Sequence, residues 1–155
     1  ATPNQADYWS AVNGGEIVSA RPVEAVFDAV ADERTEPRYN PRIGDVRLRT
    51  PEPLGVGTRF AAVAGRTPMT IELTRYERPD RLDSRTSMSM MDIEYTLTFV
   101  PCPDGTRMRW SFALHLRGPL RLVRPVVEWL GRRQERRNWA ALRRFLEAGA
   151  SSRGE

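Results

Sequence analysis

The sequence predicts an α+β fold: a curved antiparallel sheet of about seven strands wrapped around a long C-terminal helix, with two short helices after the first strand. Three observations predict it. From Ile43 to Leu116 apolar and polar residues alternate with a period of two between short turns, as in a sheet with one wet face. From about Arg121 to Ala148 the apolar residues recur instead at helical spacing. The apolar face of such a sheet has to be covered, and this last helix is the only element large enough to cover it.

Residues 1–14 read as a leader, with Tyr8 and Trp9 as possible anchors. Residues 15–148 read as a single domain and 149–155 as a flexible C-terminal tail. Glu16 to Ala20 is a short strand. Pro22 takes the place of a first helical residue, where a missing N–H leaves nothing unpaired. Val23, Val26, Phe27 and Val30 follow at helical spacing, which predicts a helix over 22–32. Thr35 to Asn40 is a second short helix or turn, closed by Pro41.

The meander starts at Ile43, with Val46 and Leu48 ending at Pro51-Glu52-Pro53. A strand from Thr58 to Ala64 follows Gly55 and Gly57. Thr67 to Tyr76 alternates Met69, Ile71 and Leu73 against Thr70, Glu72 and Thr74. Arg78-Pro79-Asp80 turns the chain into a strand from Leu82 to about Met88. Ile93, Tyr95, Leu97 and Phe99 form the next, and Asp104-Gly105 is a hairpin signal. The last strand sets Met108, Trp110, Phe112, Leu114 and Leu116 against Arg107, Arg109, Ser111, Ala113 and His115, until Gly118-Pro119 breaks it.

The helix from Pro125 is about 36 Å long at about 1.5 Å per residue. Val123, Val127, Leu130, Gln134, Asn138, Ala141 and Phe145 fall on one stripe, flanked by Val126 and Leu142; Arg132, Arg136, Arg143 and Glu128 lie opposite. The two ends of the stripe are apolar but its middle is amide. An amide facing a dry core costs free energy unless it is hydrogen-bonded, so the middle of the helix is expected to face a cavity.

All 24 basic residues are arginine, and the formal charge is +4. With 20 acidic residues interleaved, the basic helix face reads as a solvated surface carrying pairs such as Glu128/Arg132 and Arg143/Glu147 rather than as a nucleic-acid site. One cysteine, Cys102, excludes an internal disulfide and suits a reducing, cytoplasmic setting. No signal peptide is expected from the residues beginning Ala1-Thr2-Pro3-Asn4. No apolar run approaches the length of a membrane span, so stable insertion is not expected.

The order of elements resembles the START-like (SRPBCC) superfamily with its helix-grip fold, and within it the bacterial polyketide cyclase/dehydrase-like proteins. The resemblance is carried by Ser19-Ala20-Arg21-Pro22-Val23-Glu24-Ala25-Val26-Phe27, Tyr39-Asn40-Pro41-Arg42-Ile43 and Leu54-Gly55-Val56-Gly57-Thr58-Arg59-Phe60. Asp104-Gly105-Thr106-Arg107 and Leu142-Arg143-Arg144-Phe145-Leu146-Glu147 complete it, over about 15–148. It implies an apolar cavity between sheet and helix, with its mouth near Ala64–Met69, Met88–Asp92 and Arg117–Leu122. Strand parity agrees, directing Phe60, Met69, Ile71, Leu73, Tyr95, Leu97, Trp110, Phe112 and Leu114 inward. Tyr39, Met88, Val127, Leu130, Gln134 and Asn138 complete the candidate ligand-binding set. In the run Met88, Met90, Met91, the first two are expected to continue a buried face and Met91 to be exposed.

Explicit catalytic signatures are missing. His115, the only histidine, takes the arginine-bearing parity, which argues against a histidine triad or a zinc site. Gly55-Val56-Gly57 precedes a strand and is turn chemistry, not a phosphate cradle. Cys102 reads as structural, and Glu72 and Glu94 as solvated. No cofactor or metal is expected. Two functions remain. One is a module, monomer or homodimer, that binds a small hydrophobic molecule of polyketide, lipid or isoprenoid type. The other is a cyclase or dehydratase using the same cavity, with Tyr39, Tyr95, Gln134, Asn138 and, less directly, Arg59 as its polar groups. A thinner third use is partner binding through Trp129 and Trp139.

Overall fold

The structure, a computed structural model, describes residues 14–151. Tyr8 and Trp9 lie outside the described residues, as do 152–155. Strand β1 (Gly14–Ser19) leads to helix α1 (Val23–Ala31) and a 3-10 helix (Glu33–Arg38). Strands β2 (Ile43–Leu48), β3 (Arg59–Ala64), β4 (Thr67–Glu77), β5 (Arg81–Ser87), β6 (Met91–Cys102) and β7 (Gly105–Leu116) follow. A 3-10 helix (Gly118–Val123) then introduces helix α2 (Arg124–Ser151). Residues 149–151 are therefore helical where a tail was expected.

Local chemistry explains the first elements. Pro22 stands at the cap of α1 rather than inside it, and its carbonyl accepts the first helical bond from Val26 N at 3.1 Å. Asp32 ends α1 and starts the next turn, its side chain accepting from Arg34 N at 3.1 Å. The stretch expected as a second short helix is thus a 3-10 helix, tightened around Pro37.

The sheet order is β1-β7-β6-β5-β4-β3-β2, with every neighbouring pair antiparallel. Strands β2 to β7 form the expected meander, and β1 closes against β7 with Gly14 opposite Ser111 and Ser19 opposite Thr106. Gly105 makes that closure possible. It opens β7 at φ +130°, and a Cβ there would stand 2.1 Å from the Ser19 carbonyl oxygen.

Helix α1 seals one end of the sheet's inner face. The Phe27 ring meets Tyr76 and Phe99 edge-on, with centroids 5.1 and 5.2 Å apart. Phe60, Leu73, Met108 and Trp110 are buried in the core. The C-terminal half of α2 adds Trp139, Leu142 and Leu146, all buried.

Two sequence expectations are corrected. The packed face of α2 is rotated from the expected stripe: Trp139, Leu142 and Leu146 carry the burial, while Val123 is 45% exposed. Val123 closes the preceding 3-10 helix, before α2 has come down onto the sheet. The methionine register also differs. Met88 N bonds the Met91 carbonyl at 2.9 Å, so Ser89 and Met90 form the turn. Met90 is consequently exposed, and Met91 returns inward.

Gly105→Ala is expected to destabilise the protein by about 2 kcal/mol or more, through both the positive φ and the collision with Ser19. A urea midpoint unchanged from wild type would contradict this account of the β1–β7 closure.

Candidate ligand cavity

Between the sheet, the first 3-10 helix and the middle of α2 lies a cavity of about 440 Å³. Pockets for small organic ligands occupy roughly 300–1,000 Å³. The sheet supplies an apolar wall through Met69, Ile71, Leu97, Phe112 and Leu114, with Met88 and Met91 at the β5–β6 turn. Val127, Leu130 and Gly131 of α2 face them. Leu130 is 53% exposed, which places it at the mouth. Of the expected rim segments, the β3–β4 and β5–β6 turns reach the cavity. The third braces the second: Arg117 N donates to the Met90 carbonyl at 2.9 Å, and the Arg117 guanidinium pairs with Asp92 at 3.0 Å.

The candidate residues Tyr39, Tyr95, Gln134 and Asn138 also line the cavity. Phe60, Leu73 and Trp110 do not; the correction has a geometric cause. They take the inward parity but are sealed among core side chains, with Trp110 stacked on Phe112 and set beside Trp139 of α2. Along β4, Ile71 borders space, Leu73 does not, and Tyr76 touches Phe27.

One end of the cavity is polar, and its carboxyls were not anticipated. Glu33 and Glu36 stand three apart on a 3-10 helix, where such positions eclipse and share a face. Glu135 joins them from α2, beside Gln134 and Asn138. Glu33, Glu36 and Glu135 are each partly buried and line the cavity. A signal for Glu135 was present: it precedes Trp139, Leu142 and Leu146 by four, seven and eleven residues, the spacing of one helix face.

Partners at this end are few. The Tyr95 hydroxyl donates to Glu135 Oε1 at 3.0 Å, and Asn40 Nδ2 donates to Glu36 Oε1 at 2.9 Å. Arg42 reaches over the rim and donates to Gln134 Oε1 at 2.8 Å. Glu135 Oε2 and Asn138 Oδ1 are buried without a hydrogen-bond partner. Burial pushes the Glu135 carboxyl up to about 7; the Tyr95 hydrogen bond opposes this, the Glu36 charge adds to it, and the nearby Trp139 indole lowers it slightly. Burial, then the Glu36 charge, likewise holds Glu33 well above the ordinary carboxylate range. Tyr95 and Tyr39 are pushed well above the usual phenol range by burial first, then by Glu135 and Glu36 respectively.

Other groups stay outside. His115 is exposed, 3.4 Å from Glu94, whose carboxyl is lowered mainly by its hydrogen bond with Arg85. Arg59 is exposed on the outer face. Trp129 is half exposed and Trp139 buried, so the two do not form one flank. Among the described residues no group of three or more His, Cys, Asp or Glu is arranged to hold a metal ion.

The family described as polyketide cyclase / dehydrase and lipid transport matches residues 15–147. An uncharacterized protein of Mycobacterium tuberculosis is 29% identical over 136 residues, covering 81% of this chain and 78% of that protein. A crystal structure of a Thermus thermophilus protein superposes with a TM-score of 0.71 at 20% identity, over 88% of this chain and 97% of the other. The crystal structure of Ara h 8.0201 gives 0.65 at 15% identity, over 86% and 95%. The likeness to these structures is one of fold: a curved seven-stranded sheet gripping a long C-terminal helix.

Two predictions follow from the buried carboxyl. With the Glu135 pKa raised in the folded state, its neutral form is favoured there. Stability is therefore greatest below the ordinary carboxylate range and falls as pH rises from about 4.5 to about 7, by on the order of 3 kcal/mol from this group. Glu135→Gln should flatten that fall in urea denaturation between about pH 4 and about pH 8; an unchanged slope would refute the assignment. Tyr95→Phe removes the hydroxyl that favours the ionised carboxylate, so carbon-detected NMR titration should find the Glu135 pKa higher still.

Proposed function

The chain belongs to the polyketide cyclase/dehydrase and lipid transport family of the START-like (SRPBCC) superfamily, and on that premise we propose that it binds a small hydrophobic molecule, of polyketide, lipid or isoprenoid type, in the cavity between sheet and α2. The observation that carries this is the cavity itself. It is mainly apolar along the sheet, where Ser84 and Thr86 of β5 add buried hydroxyls, and polar at one end, the arrangement that gives an organic ligand affinity through buried area and orientation through a few hydrogen bonds. Met69, Ile71, Met88, Leu97, Phe112, Leu114, Val127 and Leu130 are the proposed apolar contacts, with Tyr39, Tyr95, Gln134 and Asn138 for polar atoms of the ligand. The flexible thioether of Met88 suits a wall that meets varied apolar shapes.

The unit proposed to act is the domain over 15–148, a cytoplasmic monomer or homodimer without a nucleic-acid partner. No helix among the described residues is long and apolar enough to cross a membrane.

One observation favours the second reading, a cyclase or dehydratase in the same cavity. Tyr95 and Glu135 form a buried hydrogen-bonded pair, with the carboxyl near 7. A carboxyl so placed exchanges a proton near neutral pH, which enolisation or loss of water from a polyketide-like substrate requires.

Native mass spectrometry of the purified protein, followed by denaturing extraction, tests the binding reading, with Nile red titration as a ligand-independent check. A co-purifying hydrophobic molecule, or saturable Nile red binding that this molecule displaces, is expected; neither ligand nor dye binding would sink it. Gly131→Leu is the matching variant. A Cβ at Gly131 meets only the Phe112 ring, at 3.5 Å, so a longer side chain extends into the cavity. It should lower affinity by about tenfold or more while the helix gains up to about 1 kcal/mol from losing a glycine. Conversion of the bound molecule or its precursor by wild type, abolished in Glu135→Gln with binding retained, would decide for the enzyme.

A further inference from the structure

The polar end of the cavity is chemically one-sided. Glu33, Glu36 and Glu135 converge on it from two elements and act on one another through their charges. Among the described residues that line the cavity, the buried polar atoms without a hydrogen-bond partner are two acceptors, Glu135 Oε2 and Asn138 Oδ1, and one donor, the Trp139 indole N–H beside Glu135. Asn138 is only 9% exposed, so bulk water does not serve its oxygen. Among the described residues the only cation on the wall is Arg42, and its guanidinium is drawn to the exposed rim by Gln134. The aromatic residues Tyr39, Tyr95 and Phe112 line the same cavity.

We propose that this end receives the protonated amine head of an apolar ligand, with Glu135 Oε2 and Asn138 Oδ1 accepting its N–H bonds. The inference rests on the cavity being a ligand site and names the class of ligand that suits it. An ammonium group supplies three donors where acceptors are unmet. It sets one positive charge among three carboxyls that otherwise repel, and it sits well against aromatic faces. The other common head groups fit less well. A carboxylate would bring a further acidic group, with no N–H to offer, into a space already lined by three. A neutral hydroxyl would satisfy one acceptor and leave the charges opposed.

The test compares octylamine, octanol and octanoate, which share a chain and differ in the head, by isothermal titration calorimetry at mildly alkaline pH. Octylamine should bind at least about tenfold more tightly than octanol, and octanoate more weakly than either. In Glu135→Gln the preference for the amine should disappear while octanol affinity is kept, which also reports that the variant is folded. Glu36→Gln, which retains an acceptor for Asn40, should reduce the preference in part; it supplies the same contrast if Glu135→Gln fails to fold. Octanol binding as well as octylamine, or an amine preference that survives both variants, would overturn the amine assignment and leave the hydrophobic site standing. No binding by any of the three would overturn both.

Discussion

Seven strands present one continuous apolar face, and keeping that face from water is the constraint on which the rest of the molecule depends. Two helices share the work unequally. Helix α1 closes one end through Phe27, wedged between Tyr76 and Phe99. Helix α2 covers the rest, but only its C-terminal half packs against the sheet with large apolar side chains, Trp139, Leu142 and Leu146. One turn before Trp139 the same face carries Glu135, flanked toward the cavity by Gln134 and Asn138. Those groups cannot be pressed onto Ile71, Phe112 and Leu114 without losing hydration that the sheet cannot replace. The helix bridges instead of packing, and the space beneath its middle is the cavity.

The architecture was legible because its signals are local and repeated. A strand with one wet face states its period in nearly every residue, and β4 and β7 show buried positions alternating with exposed ones as expected. The site was legible only in part. Gln134 and Asn138 marked the place where α2 leaves the core, because an amide on an apolar stripe violates the pattern. Glu135 violates it more strongly. The apolar stripe through Val123, Leu130 and Gln134 is turned away from the line of Trp139, Leu142 and Leu146 and so does not pass through Glu135. Glu33 and Glu36 were hidden by a different cause: a six-residue 3-10 helix is too short to display a period. Phe60, Leu73 and Trp110 show the converse limit. Parity states which face of a sheet a side chain takes, but not whether a helix has already covered that part of the face.

The apolar wall and the polar end divide the requirements of recognition between them. Burial against the sheet is nearly indifferent to orientation, so it sets how tightly a ligand of a given size is held. The carboxyls, tyrosines and amides act over short distances and at fixed angles, so they set which way the ligand lies. Binding and catalysis make the same demand on this arrangement up to the point where a proton moves. The Tyr95–Glu135 pair stands at that boundary, since a carboxyl near neutrality both accepts a hydrogen bond and exchanges a proton.

The position of β1 also governs the order in which the molecule can be assembled. Among the described residues its only strand partner is β7, with Gly14 opposite Ser111 and Ser19 opposite Thr106. Strands β2 to β7 can zip together in sequence as they leave the ribosome, each hairpin closing over a short loop. The first strand emerges early and stays unpaired until nearly the whole meander has been synthesised, a closure that spans most of the chain and is entropically slow. From the completion of β7 until β1 docks, β7 is the edge of the sheet, its outer hydrogen-bonding groups open to a strand from another molecule. The docking of β1 thus follows the meander it pairs with, and replaces a twelve-residue edge strand by one of six residues.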